Sequence, residues 1–124
     1  YKEELSMIKI AIGGQLSKSE IKEAIEKSGR EDVTAEIFTD MNAAKKVKSG
    51  EFDYYIGACQ SGAGGALGMA YGILGRDKCV TIGMAGRPPK ENKVQEAIDK
   101  GAKAFGFTSD QVDPAVPLLM KLLP

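Results

Sequence analysis

Cys59, Ser61, Gly62, Ala63, Gly64 and Gly65 fall in one run, CQSGAGG, which opens a seventeen-residue stretch from Cys59 to Gly75 holding six of the chain's fifteen glycines. The segment before it, Tyr54 to Ala58, is apolar and reads as a buried strand. A strand that breaks into a Cys/Ser/Gly turn and then a small-residue helix aims unpaired amides and the positive helix end at one point, which favours an anion. The glycines let a ligand approach the backbone, and Ser61 can cap the helix or donate to a ligand oxygen. The plainer reading is that the glycines only close the turn. Cys59, placed at the helix start, would have its thiol pKa lowered and could serve as a base or nucleophile. The alternative is an inert buried thiol.

Other residues bear on the same edge. Gly13, Gly14 and Gln15 follow the first expected strand and would lie opposite the Cys59–Gly65 loop. Arg87, in GMAGRPP after the fourth strand, could fork a phosphate or carboxylate. Asp40 could accept a ligand hydroxyl, although a helix N-cap is its ordinary role. The glycine spacing does not match a dinucleotide fingerprint, and no Gly-Lys-Ser/Thr follows it. Histidine is absent, which removes Ser/His and Cys/His dyads and imidazole zinc sites. No metal or other cofactor is expected.

Acidic and basic residues balance at seventeen each, so nothing draws the chain to nucleic acid or an anionic membrane. Its apolar runs fall short of the roughly 20 residues a bilayer span needs, and the reading is cytoplasmic. Residues 1–6 read as a loose tail or appended remnant, and 7–124 as a single αβα domain. Cys59 and Cys79 fall at opposite ends of their strands, roughly 13–16 Å apart at ~3.3 Å per residue, too far for a disulfide.

These groups must be positioned by five apolar runs alternating with helical patterns, the signature of a parallel sheet with crossover helices. Strands are expected at Ile8–Ile12, Val33–Phe38, Tyr54–Ala58, Cys79–Ile82 and Ala104–Phe107. Ser17 and Glu20 form a capping box for the first helix, and Asp40 caps the second. The economical fold is α/β, a three-layer αβα sandwich on a five-stranded parallel sheet with flavodoxin- or Rossmann-like order 2-1-3-4-5. Gly64, Gly68 and Gly72 recur every four residues. Their cost of roughly 1 kcal/mol each within a helix calls for close packing, on the sheet or against a second subunit in a homodimer.

Two family resemblances attach to these residues. AAKKVKSGEFDYYIGACQSGAGGALGMAYGILG, with the later KAFGF and Pro117-Leu-Leu, resembles the small bacterial proteins of the YhfU type, over most of residues 7–124. That family offers no activity to transfer. The stretch Ser49-Gly50 through Asp53, Ile56, Cys59, Ser61, Gly62, Gly64 and Ala70 is similar to ribose-5-phosphate isomerase B and the galactose-6-phosphate isomerase subunits. This second resemblance implies Cys59 as proton-transfer base, Ser61 as the ring-opening hydroxyl, and Gly62 with Gly64 as the anion hole. Where those isomerases carry Asp-His after the first strand, this chain has Gly14-Gln15. Two functions stay open: a protein binding a small anionic metabolite, a sugar phosphate or carboxylate, with isomerase-like proton transfer; or a non-catalytic sensor or assembly subunit that dimerises through its glycine-striped helix.

Overall fold

Short β-rich runs between glycine-terminated helices give an alternating order of elements. The structure, a computed structural model, describes residues 7–60 and 65–124. Strands β1 (Ile8–Gly14), β2 (Val33–Ile37), β3 (Tyr54–Cys59), β4 (Cys79–Gly83) and β5 (Ala104–Thr108) alternate with helices α1 (Lys18–Lys27), α2 (Asp40–Lys48), α3 (Gly68–Leu74), α4 (Glu91–Asp99) and α5 (Val112–Leu122). All pairings are parallel, and the helices flank both faces of the sheet, an α/β fold as expected.

The strand order is 2-1-3-5-4, which corrects the expected 2-1-3-4-5. Burial explains the exchange. Every residue of β5, AFGFT, is buried, whereas β4 exposes Thr81 and β2 exposes Thr34 and Glu36. A strand covered on both faces belongs inside a parallel sheet, and strands with polar positions tolerate the edges.

Right-handed crossovers then fix the layers. Leftward steps, β1 to β2 and β4 to β5, put α1 and α4 on one face, and α5 joins them over Ile10, Ile12, Ile56, Phe105 and Phe107. Rightward steps, β2 to β3 and β3 to β4, put α2 and α3 on the other, over Ala11, Tyr55 and Ala104.

Two expected caps differ. Ser17 precedes α1 in the left-handed region at φ 61° and makes no side-chain cap, so the capping box does not form. The amides of Gln15 and Leu16 both donate to the Ala58 carbonyl, at 2.9 and 3.1 Å, and this fold-back takes the chain into α1 away from the extended conformation an N-cap needs. At α2 the cap is Thr39, whose hydroxyl accepts from the Asn42 amide at 3.2 Å, leaving the Asp40 carboxylate for other partners.

Arg30, at the amino edge of the sheet, donates from Nη1 to the carbonyls of Met120 (3.0 Å) and Leu123 (2.6 Å) and from Nη2 to that of Pro124 (3.1 Å), while Nε and Nη2 pair with Asp32. It thereby satisfies the carbonyl end of α5. Among the described residues no helix is long and apolar enough to cross a membrane.

Candidate functional site

Ligands of open parallel sheets lie beyond the carboxyl ends of the strands, where successive connections part to opposite faces. Here β3 leads to α3 on one face, while both its neighbours, β1 and β5, lead to α1 and α5 on the other. The carboxyl end of β3 is therefore a point of divergence on both sides.

The floor of this region rests on two glycines. Gly13 and Gly57 are paired across β1 and β3, and together they leave a groove in the sheet surface. The Tyr55 ring lies in it: a Cβ on Gly13 would sit 2.5 Å from the Tyr55 Cε2, and one on Gly57 would sit 3.0 Å from its hydroxyl. That hydroxyl reaches the Asp40 carboxylate at 2.5 Å and the Ala66 carbonyl at 2.7 Å. Burial, then the hydrogen bond and charge of Asp40, push the Tyr55 phenol far above its ordinary value of 10.0, so it stays protonated. The Gly14 amide also points to Asp40, at 3.4 Å, and Gly14 occupies the left-handed region at φ 76° against the Ala58 backbone.

Cys59 closes β3, is 1% exposed, and is in register with Thr108 of β5. Thr108, equally buried, donates its hydroxyl to Asp110, and that bond is the main cause holding the Asp110 carboxyl below its usual range. Cys59 and Cys79 form no disulfide. Ser61, Gly62, Ala63 and Gly64 lie outside the described residues, as do residues 1–6. Gly65 begins a 3-10 turn through Leu67, and α3 starts only at Gly68. Cys59 is thus nine positions before the first residue of α3.

The structure brings Gly13, Gly14, Gln15 and Cys59 together but sets Arg87 apart. With β5 between β3 and β4, the Arg87 loop is two strand spacings, roughly 10 Å, from the end of β3. The glycine stripe also has a definite direction: among the described residues, a Cβ built on Gly68 or Gly72 meets no atom within 4 Å beyond its own helix and chain neighbours, so neither packs on the sheet. Met69 beside them is 44% exposed.

Sequence reasoning missed Tyr55, hidden in an apolar run, and the pair Lys90 and Lys93. Their signal was the motif RPPKENK, a helix entry led by cations where acids are usual. Among the described residues, no group of three or more His, Cys, Asp or Glu could hold a metal ion.

The family model described as "Protein of unknown function DUF2620" matches residues 8–123. The chain is 41% identical over 117 residues to "Uncharacterized protein YhfU" of Escherichia coli (strain K12), spanning 94% of this chain and 99% of that protein. YhfU of Shigella flexneri matches to the same extent. No solved structure matches.

Proposed function

The chain belongs to the DUF2620 family, and from that premise we propose that it is a one-domain cytoplasmic protein that binds a small anionic metabolite, a sugar phosphate or carboxylate, at the carboxyl end of β3. The observation that carries this reading is the divergence at β3, whose connection leaves to the face opposite those of both its neighbours. The following segment supplies Cys59, Ser61 and the glycine amides of Gly62, Gly64 and Gly65. Gly13, Gly14 and Gln15 bound the site from β1. In this reading Ser61 and the loop amides hold the anion, and Cys59 is the group that moves a proton on a bound sugar phosphate.

Thermal unfolding with ribose 5-phosphate, inorganic phosphate and citrate tests the binding, because a ligand of the native state raises the midpoint. A rise of several degrees with one of them, reduced in Ser61→Ala, supports it. Unchanged midpoints at millimolar concentrations refute it. Proton exchange at the sugar carbon next to the carbonyl, followed by NMR in deuterated water, tests Cys59; full exchange by Cys59→Ser refutes its role.

The outward glycine stripe favours a second reading, a homodimer through α3. Among the described residues, a Cβ added at Gly68 or Gly72 would meet nothing beyond its own helix and chain neighbours, so a second helix could approach closely there. Sedimentation velocity of Gly68→Leu reads it: a dimer converted to monomer agrees, and an unaltered mass refutes it.

A further inference from the structure

We infer that the cleft between β4 and the start of α4 binds a ligand of its own, a small anion carried on an apolar group, at a place distinct from the end of β3. The cleft is an open groove of about 220 Å³, room for a small metabolite. Its wall is apolar, with Val94 buried and Val80 and Ile82 half-buried, while its rim is formed by the exposed side chains of Arg87, Lys90 and Lys93.

The three cations are uncompensated. Lys27, Arg30, Lys46, Lys100 and Lys121 each pair with a carboxylate, but among the described residues none of these three does. The acid next to Lys90 in sequence, Glu91, is committed to Lys121 at 3.0 Å. Asp110, which the Gly86 amide approaches, is occupied by Thr108 and Gln111. Three exposed cations at the mouth of one cleft give it a local positive potential that an anion would meet on entry.

The backbone adds to this field and fixes its geometry. Lys90 gives α4 no side-chain cap, so the positive end of a nine-residue helix faces the same region. Arg87 stands on a tight turn closed by reciprocal bonds between Met84 and Arg87, at 3.0 and 2.7 Å, with Gly86 at φ 72°. From this turn the guanidinium can fork a phosphate or carboxylate at the mouth of the cleft. The valine and isoleucine wall would be wasted on a bare ion, and it selects an anion with an apolar substituent.

Phenyl phosphate is the probe, titrated into the full chain and followed by amide shifts in two-dimensional NMR, with inorganic phosphate and phenol as its separate halves. The expected result is saturable shifts over residues 83–94, with affinity at least tenfold weaker for either half alone. Arg87→Ala and Lys93→Gln should each weaken phenyl phosphate at least tenfold, while Lys48→Gln, an exposed cation of α2 on the opposite face, binds as the parent. These rim substitutions are exposed, and an unchanged unfolding midpoint verifies the fold. Unmoved amides at saturating probe, parental affinity in either rim variant, or an equal loss in Lys48→Gln would overturn the inference. Equal affinity for inorganic phosphate would overturn the apolar selectivity. Because the β3 site is read with Ser61→Ala and Cys59→Ser, either proposal can fail while the other stands.

Discussion

The Tyr55 hydroxyl and the Asp40 carboxylate meet 2.5 Å apart, joining the middle of the sheet to the first residue of α2. The side chain that makes the link is wholly buried, and its hydroxyl also meets the Ala66 carbonyl just before α3. One phenol therefore ties β3, α2 and the segment leading into α3 beneath the divergence point.

Removing that hydroxyl should be costly. Tyr55→Phe removes the one O–H proton that the Asp40 carboxylate and the Ala66 carbonyl share, and a loss of about 1–3 kcal/mol is expected. Urea unfolding measures it as a lower midpoint with unchanged slope. A cycle with Asp40→Asn should give a coupling above about 0.5 kcal/mol; additive losses would mean that the two groups act separately.

Gly13→Ala should destabilise although the change is one methyl group. Its Cβ would meet Tyr55 Cε2 at 2.5 Å and the Ala43 methyl at 2.9 Å, inside a packed layer. A loss of about 1–3 kcal/mol is the usual cost of such overpacking. Gly29→Ala meets no atom within 4 Å, so any loss there reports only its left-handed backbone, and it serves as a comparison for steric cost.

Cys79 should alkylate slowly at neutral pH. Burial, aided by the charge of Asp77, pushes its thiol from 9.0 to about 11, and the Sγ faces the Gly75 carbonyl at 3.3 Å. Iodoacetamide labelling followed by peptide mass should be on the order of a hundredfold slower at pH 8 than for an ordinary thiol. The stability effect has a definite sign. Between 9.0 and about 11 the unfolded chain releases this proton while the folded chain keeps it, so stability falls as pH rises through that window. Cys79→Ala should flatten that part of the profile.

Arg30→Ala should loosen the far end of the molecule. The Met120 carbonyl in the last turn of α5 and those of Leu123 and Pro124 just after it lose a charged donor, with an expected cost of about 1–3 kcal/mol. Hydrogen exchange should rise first in the last turn of α5. Arg30→Lys should recover only part, because an ammonium does not reproduce the fork.

The strands and their direction were legible because alternating apolar runs and glycine stops carry that information locally. The position of β5 was not, since 2-1-3-4-5 and 2-1-3-5-4 differ only in the direction of the last crossover and hence in the face that takes α4, which no local pattern encodes; the full burial of AFGFT against the exposed Thr81 of β4 separates them. Ser17 illustrates tertiary override, its capping signal losing to the two bonds that fold Gln15 and Leu16 onto Ala58. Asp40 was read as a cap because its type fits, and the hydroxyl of Thr39 took that role. For the site, Cys59, Gly13, Gly14 and Gln15 gather where topology predicts. The distance of Arg87 followed from strand order, which local pattern does not encode.

Since the fifth strand is both the last to leave the ribosome and an inner member of the sheet, assembly cannot finish in the order of synthesis. Until Ala104–Thr108 emerges, β3 has one vacant side and β4 has no strand to pair with at all. A nascent chain stalled before that point offers two sticky ladders to its neighbours, so chains cut between β4 and β5 should be caught by chaperones or aggregate more readily than chains that include β5.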